Sequence, residues 1–307
     1  MFGVTILGNN SALPAYDRHP TSQVVTLDQF QFLIDCGEGS QMQLARYKIR
    51  RSRINHIFIS HLHGDHYFGL PGLITSMALL GRDTDLHLYA PPMLKDIIDL
   101  MLKAANTSFN YTLHFHPLEG EGLLIDDEKY SVEAFKVFHR IDCWGFIFRE
   151  KKKSRKINKE AIGKYNFSTN AFEQLKMGED VTTDTGELIL NDTVTTANPP
   201  ALSYAFCGDT LFNEKVAEKV KDVTMIYHET TYLKELEDRA LARFHSTTIQ
   251  AANIAILSKA KRLLIGHFSS KYEDLHLFLD ETREVFPVTD LAIEGVTYRV
   301  LSMPYNI

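Results

Sequence analysis

The chain has 307 residues, of which 44% are hydrophobic and 23% are charged. This composition is typical of a globular protein and excludes a disordered chain, a collagen-like chain and a coiled coil. The net charge of −6 argues against a nucleic-acid-binding protein that acts through its overall charge. Cys36, Cys143 and Cys207 are far apart and form no C-x-x-C pair, so neither a disulfide framework nor a zinc ribbon is expected.

The predicted elements alternate between short strands and helices from the first residues onward. Runs of β-prone residues broken by Gly, Asn, Pro and Asp predict strands at 4–7, 23–27 and 30–34. The pattern then predicts, in chain order, a helix at 41–49, a strand at 56–60, a helix at 70–80, a strand at 86–89 and a helix at 92–105. The second half of the chain repeats this mixture, which favours sheets layered with helices.

The sequence contains no segment that predicts contact with a membrane. The longest largely apolar stretch, from Gly69 to Leu80, is too short to span a bilayer. No basic segment followed by an apolar run opens the chain, so no signal peptide is predicted. We therefore expect a soluble, cytoplasmic protein with no membrane partner.

Two short segments concentrate positive charge on an otherwise acidic chain. The first holds Arg46, Lys48, Arg50, Arg51 and Arg53, and the second holds Lys151, Lys152, Lys153, Arg155 and Lys156. Such segments are either phosphate-contact sites or solvated surface, and composition alone favours solvated surface. The second segment opens a polar stretch at 150–200, in which apolar periodicity is weak. That stretch is interpreted as an extended insertion, a flexible arm or a domain linker.

Four apolar runs each end in a side chain that can bind a metal ion. These side chains are His61, His139, Asp209 and His267. Ligands and catalytic groups gather at strand ends in layered α/β folds, because the loops there open to solvent while the sheet stays fixed. A lone histidine at such a place is more often packed than ligating, but four such ends in one chain favour a shared site.

The strongest motif is the run His61-Leu62-His63-Gly64-Asp65-His66, which places three imidazoles and a carboxylate within six residues. These donors suit zinc, with manganese and iron as competitors. Directly after a strand, His61 and His63 can converge on one ion while Asp65 and His66 turn toward a second. The ligands that would complete both sets are His139, His267 and Asp209, the last of them free to bridge. The alternative, a single structural zinc, needs only four ligands, whereas seven are present.

The longer string HLHGDHYFGLPGL, at 61–73, resembles the ribonuclease Z family of the metallo-β-lactamase superfamily. Further segments agree with that family in order along the chain: LGNNSALP near the start, DCGEGSQMQL at 35–44, FCGDT at 206–210, HETTY at 228–232, HST at 245–247 and GHFSSKY at 266–272. The superfamily motif alone fits many hydrolases, whereas this combination is much more specific.

The resemblance implies an α+β fold, a four-layer αββα sandwich formed as one domain over residues 1–307, with residues 150–200 as an inserted basic arm. It implies two zinc ions per chain between the sheets, with manganese or iron as the alternatives. One zinc would be held by His61, His63 and His139, and the other by Asp65, His66 and His267, with Asp209 bridging. Family members commonly form homodimers, in which the arm of one subunit serves the site of the partner.

The activity that the resemblance implies is that of a zinc-dependent endoribonuclease. It would remove 3′ trailers from tRNA precursors and leave a 3′-hydroxyl on the tRNA and a 5′-phosphate on the trailer. Hydroxide formed at the two metals would attack phosphorus, with Asp65 orienting the attacking water. His245 would be the general acid, and Glu229 would hold it in the right tautomer. The RNA would be contacted by Lys271 and by the arm residues Lys151, Lys152, Lys153, Arg155 and Lys156.

The chain departs from the family pattern at three places. Thr230 replaces the usual alanine, and Lys271 replaces the usual arginine, which loses bidentate phosphate geometry. The Gly-Pro-rich motif common in the arm is missing from 157–198. Two other functions stay open: a related hydrolase acting on a small phosphodiester or thioester, and a non-catalytic RNA-binding protein. No role is predicted for the histidines without companion ligands, which are His19, His56, His87, His114, His116 and His276.

Overall fold

The structure, a computed structural model, describes residues 1–151, 154–165, 167–198 and 200–302. Its strands are, in chain order, β1 (Phe2–Gly8), β2 (Ser22–Leu27), β3 (Phe30–Ile34), β4 (Ile54–Phe58), β5 (Leu86–Ala90), β6 (Leu113–Pro117), β7 (Gly122–Asp126), β8 (Tyr130–Val137), β9 (Cys143–Glu150), β10 (Lys156–Ile157), β11 (Val181–Thr182), β12 (Leu188–Ile189), β13 (Thr195–Thr196), β14 (Ser203–Phe206), β15 (Met225–Glu229), β16 (Arg262–Gly266), β17 (Thr289–Leu291) and β18 (Thr297–Arg299). Its α-helices are α1 (Ser40–Arg46), α2 (Gly64–Tyr67), α3 (Leu70–Leu79), α4 (Met93–Ala104), α5 (Lys159–Ile162), α6 (Thr169–Met177), α7 (Asn191–Val194), α8 (Glu214–Lys219), α9 (Glu237–Arg243), α10 (Thr248–Leu257) and α11 (His276–Val285). No helix within these ranges is long and apolar enough to cross a membrane.

Two seven-stranded sheets face each other across an apolar core. Their strand orders are β18-β1-β2-β3-β4-β5-β6 and β17-β16-β15-β14-β9-β8-β7. The core between them is rich in aromatic side chains, among them Phe32, Phe58, Phe146, Phe148 and Tyr204. Helices α1, α3 and α4 cover the outer face of the first sheet, and α8, α10 and α11 cover that of the second. The predicted four-layer αββα sandwich is confirmed.

The central strands are continuous apolar runs because both of their faces are buried. On β14, Tyr204 points into the core between the sheets, whereas Ala205 packs toward the helices. Phe206 and Cys207 repeat this alternation, as a two-residue period requires. All three cysteines of the chain are buried and unpaired, in agreement with the expected absence of a disulfide framework.

One edge of the sandwich, which we call the catalytic edge, contains the carboxyl ends of β3, β4, β8, β14, β15 and β16, among others. Strands β3 to β6 are mutually parallel, and so are β14 to β17. Strand β8 runs in the direction of β14 because both are antiparallel to β9. The backbone N–H of Trp144 donates to the carbonyl of Ser60 at 3.0 Å, which ties the two sheets together there.

The elements predicted in the first third of the chain are observed, with shifted ends. The helix predicted at 41–49 ends at Arg46. Lys48 takes a left-handed conformation, with φ of 57°, that a right-handed helix cannot contain. The strand predicted to begin at His56 begins at Ile54, because a 3₁₀ turn at Arg51–Arg53 leads directly into it.

The segment 150–200 connects β9 to β14, so its two ends lie at the edge opposite the catalytic edge. This position follows from topology, because β9 ends and β14 begins at that opposite edge. The segment has a small apolar core of its own, formed by Ala171, Leu175, Val181, Ile189 and Val194. These side chains come from α6, α7 and two-residue strands, most of them too short to show a hydrophobic period. The weak periodicity of the sequence is thereby explained.

Candidate metal centre and active site

Three histidines from two segments direct ring nitrogens at one place. Nδ1 of His63 lies 2.9 Å from Nε2 of His61 and 3.1 Å from Nε2 of His139. The second ring nitrogens of His61 and His139 contact other groups. Nδ1 of His139 donates to the carbonyl of Phe244 at 2.8 Å, and Nδ1 of His61 lies 3.0 Å from Oγ of Ser60. In their neutral forms, His61 and His139 therefore present lone pairs at Nε2, and one proton on His63 cannot satisfy both.

Two glycines allow the backbone around this motif to pack closely. A Cβ on Gly64, the first residue of α2, would lie 2.2 Å from the ring of Phe68. A Cβ on Gly69 would lie 2.2 Å from the carbonyl oxygen of Gly37. The backbones of the segments HGDHYFG and DCGEG are therefore in close contact. This contact fixes Asp65 and His66 in the single turn of α2.

A second group consists of Asp65, His66 and His267, and Asp209 lies between the two groups. Oδ2 of Asp209 is 3.3 Å from Nε2 of His66 and 3.8 Å from Nε2 of His61. Oδ1 of Asp209 is 3.3 Å from Nε2 of His267. Oδ2 of Asp65 is 3.4 Å from the same nitrogen of His267 and 3.5 Å from Nε2 of His66. Asp209 is therefore in contact with histidines of both groups.

Asp35, directly after β3, contacts His66 of the second group and also Ser60, which in turn contacts His61 of the first group. It is completely buried, and its Oδ2 lies 2.7 Å from Nδ1 of His66. It accepts hydrogen bonds from the backbone N–H and the hydroxyl of Ser60, at 2.7 and 2.8 Å. Burial raises the pKa of Asp35, and His66 opposes this shift. Asp35 was not predicted from the sequence, although it follows a strand end just as His61, His139, Asp209 and His267 do.

Replacing Asp35 by Ala is expected to lower the free energy of unfolding by about 3 kcal/mol or more, because one partner of a buried ion pair is removed. Denaturant unfolding of metal-free protein measures this loss without a contribution from metal binding. Asp35→Asn keeps an acceptor for Ser60 and is expected to lose less. A loss below about 1 kcal/mol for the alanine variant, the value of one ordinary hydrogen bond, would contradict this account.

A chain of hydrogen bonds runs from His267 through Glu229 to His245. Nδ1 of His267 lies 3.0 Å from Oγ1 of Thr231, which donates to Oε2 of Glu229 at 2.6 Å. Oε1 of Glu229 lies 2.8 Å from Nδ1 of His245. Backbone N–H groups also donate to the fully buried Glu229, namely those of Thr210, Thr231 and Ser246. His267 has a φ of 60°, which is uncommon for a residue other than glycine and typical of functional sites.

Nearby carboxylates, burial and neighbouring rings together set the pKa values of the histidines at this edge. Burial alone would lower the pKa of His245, but Glu229 raises it to about 9. Three nearby carboxylates likewise overcome burial and raise the pKa of His66 well above its ordinary value. Burial and the neighbouring His139 lower the pKa of His63 to about 4. His63 is therefore neutral at pH 7 and has a lone pair available for a metal ion.

The donor set fits divalent metal ions. Ligand atoms that lie within 4.8 Å of one another form three overlapping groups: His61, His63, His139 and Asp209; Asp65, His66 and His267; and Asp209, His245 and His267. Nε2 of His66 is buried and has no well-directed hydrogen bond to the described residues. Its neighbours are the carboxylates of Asp209 and Asp65, at 3.3 and 3.5 Å. A cation bound between these three groups would satisfy all of them.

These groups form the floor of an open cavity of about 660 Å³. Its rim carries four exposed cations, which are Arg140, Arg239, Arg243 and Lys271. Phe68, which is 62% exposed, also lines it. Of these residues only Lys271 was singled out from the sequence. The three arginines were missed because their positions do not form a cluster along the chain.

The described residues of the two basic segments do not line the cavity. Among the described residues, none from 46–53 or 150–200 lines it. In the second segment, Lys151 forms an ion pair with Asp126 at 2.7 Å, and Arg155 pairs with Asp192. Lys156 is exposed on β10. Lys152 and Lys153, which were also predicted to contact RNA, lie outside the described residues.

Solved structures share this architecture over nearly the whole chain. Human tRNase Z, short form, is 25% identical, with a TM-score of 0.71 over 97% of this chain and 99% of that one. The metallo-β-lactamase fold protein YhfI from Bacillus subtilis is 13% identical, with a TM-score of 0.68 over 97% and 100%. The long-form RNase Z from yeast has a TM-score of 0.67 at 14% identity and covers 98% of this chain and 42% of that one. The fold and the site define a hydrolase of the metallo-β-lactamase superfamily.

Proteins of similar sequence identify the family within this superfamily. Ribonuclease Z of Bacteroides thetaiotaomicron is 41% identical over 297 residues, which cover 96% of this chain and 94% of that protein. Ribonuclease Z of Cytophaga hutchinsonii is 43% identical over 304 residues, or 97% and 96% of the two chains. The chain therefore belongs to the ribonuclease Z family of endoribonucleases, and its residues 2–201 also match the family model described as anti-Pycsar protein Apyc1. That second match ends before Asp209, Glu229, His245 and His267.

Proposed function

We propose that this chain removes 3′ trailers from tRNA precursors by hydrolysing one phosphodiester bond. The products would be a tRNA with a 3′-hydroxyl and a trailer with a 5′-phosphate. The observation that carries this proposal is the pairing of His245 with Glu229 beside two adjoining groups of metal ligands, on the floor of a cation-rimmed cavity. The proposed place of action is the cytoplasm.

The two ligand groups would hold two divalent cations, with zinc as the proposed ion and manganese or iron as alternatives. His61, His63 and His139 would hold one, and Asp65, His66 and His267 the other, with Asp209 shared. When bound, the ions would supply Lewis-acid stabilisation of the phosphoryl oxygens and a water of lowered pKa.

Two side chains, Asp65 and His245, would act on the attacking water and on the leaving group, respectively. Oδ2 of Asp65 accepts the backbone N–H of Ala12 at 2.8 Å, which fixes the carboxylate at the cavity wall, where it would orient the attacking water. His245 lines the same cavity, and Glu229 engages its Nδ1. Nε2 of His245 would then donate a proton to the departing ribose 3′ oxygen. The cations of the rim would bind the flanking phosphates.

A cleavage assay tests the proposal directly. Purified protein is incubated with a tRNA precursor that carries a 3′ trailer, with and without a chelator, and both new ends are mapped. We expect one chelator-sensitive cut that leaves a 3′-hydroxyl on the tRNA and is lost in Asp65→Ala. Turnover of a small phosphodiester without any cut in the precursor would favour the alternative, a hydrolase of a small substrate on the same site.

The arm, residues 150–200, is proposed to bind the body of the tRNA for the active site of a partner subunit. It emerges at the edge opposite the catalytic edge, and none of its described residues lines the chain's own cavity. A homodimer could place the arm of one subunit beside the catalytic edge of the other.

Deletion of residues 150–200 is expected to abolish cleavage of the tRNA precursor and to spare hydrolysis of bis(p-nitrophenyl) phosphate, which is too small to reach the arm. Mixing this deletion variant with Asp209→Ala should restore tRNA cleavage, because one subunit then supplies the site and the other the arm. Restoration needs a dimer with the arm acting in trans. A deletion variant that cleaves the precursor normally would show that the arm assignment is wrong.

A further inference from the structure

Four histidines outside the active site pack together near the end of the first sheet. His56, His87 and His114 are register partners on the parallel strands β4, β5 and β6, and His116 lies two residues further along β6. The rings of His56 and His87 stack at 4.9 Å between centroids, and those of His87 and His114 at 4.7 Å. His116 stacks on Tyr89 at 4.3 Å. These contacts are not visible in the sequence, because parallel register joins residues that are far apart in the chain.

Within this group, His87 and His116 direct nitrogens at each other. Nδ1 of His87 lies 3.0 Å from Nε2 of His116. Two imidazole nitrogens bound to one tetrahedral zinc ion, each at about 2.0–2.1 Å, lie about 3.3 Å apart. The observed separation is therefore close to the one that an ion shared by the two rings would require. His114 differs, because its Nε2 is engaged by Oδ2 of Asp85 at 2.9 Å.

The surroundings keep both rings neutral and reachable. His87 and His116 are half-buried, on β5 and on the terminal strand β6. Burial and the neighbouring imidazoles lower the pKa of His87, and they lower that of His116 in the same way. Protons therefore compete little with a metal ion at pH 7. Nδ1 of His56, in the ring stacked on His87, is buried without a hydrogen-bond partner among the described residues.

We propose that His87 and His116 form an accessory site for a divalent transition-metal cation of the class that imidazole prefers, zinc, nickel or copper. It is separate from the ligand groups at the catalytic edge, since none of those groups includes a histidine of this stack. A cation bound here would link the terminal strand β6 to β5. Because it binds the folded protein, it would also stabilise it.

The test uses the full chain after its active site has been saturated with zinc and excess metal has been removed. Isothermal titration with further zinc is expected to show one additional ion per chain. His87→Gln and His116→Gln should each weaken this binding at least about tenfold, equivalent to 1.4 kcal/mol. The matched control is His114→Ala, which removes a stacked ring of the same group and should keep the affinity. Circular dichroism shows whether each variant is folded.

A second measurement identifies the ligands. Copper(II) added to the zinc-saturated protein should give an electron paramagnetic resonance signal with hyperfine coupling to two imidazole nitrogens. Either glutamine variant should lose that signal. The proposal is overturned if the wild type takes up no additional ion, if the glutamine variants bind it as the wild type does, or if His114→Ala loses it equally.

Discussion

Replacing Asp209 by Ala is expected to reduce cleavage of a tRNA precursor by at least about 10³-fold, because metal assistance is worth several kcal/mol and each 1.36 kcal/mol is a factor of ten. Asp209 is the carboxylate in contact with both ligand groups, because its oxygens lie 3.8 Å from His61 of the first group and 3.3 Å from His66 and His267 of the second. It is also buried, with 3% of its surface exposed. Without Asp209, no carboxylate lies between the two groups of buried histidines. We therefore expect that the variant does not retain both ions.

Metal content after gel filtration, measured by mass spectrometry, and kcat are determined on the same sample. The wild type is expected to hold two ions and the variant clearly fewer. The control is Asp99→Ala, which removes an exposed carboxylate on α4 that pairs with the neighbouring Lys95. An Asp209→Ala protein that retains two ions and near-normal activity would show that this residue is not a metal ligand.

The fold and the floor of the site could be predicted because their signals are local in the sequence. A buried central strand is a continuous apolar run, and the residue after it lies at a sheet edge, which placed His61, His139, Asp209 and His267 together. Asp35 obeys the same rule, since it follows β3, and it could have been found by applying the rule to every strand.

Other features depend on contacts that no local pattern contains. His87 and His116 meet because β5 and β6 pair in parallel at one particular register. Arg140, Arg239 and Arg243 converge only when the loop after β8 and helix α9 pack beside the same cavity. The small core of the arm draws on short elements, so its residues show no period in the sequence. The topology had to be known before these neighbours could be identified.

Replacing His245 by Ala is expected to lower kcat for the tRNA precursor by about 10²- to 10⁴-fold, the usual contribution of a positioned general acid. Bis(p-nitrophenyl) phosphate provides the matched comparison, because its leaving group departs without a proton. The variant should keep most of its activity on that substrate. Equal losses on both substrates would mean that His245 acts on the metal centre or on the fold rather than on the leaving group.

The pH dependence of kcat separates the roles of His245 and Glu229. Glu229 raises the pKa of His245 to about 9, so the acid form is present below that pH and is lost as pH rises through it. Positive ions bound nearby would lower this pKa in the loaded enzyme, but the effect of Glu229 keeps its sign. Glu229→Gln removes the negative charge and should therefore move the alkaline limb of the kcat profile to lower pH. In His245→Ala that limb should disappear. An unchanged alkaline limb in both variants would assign it to another group and exclude His245 as the proton donor.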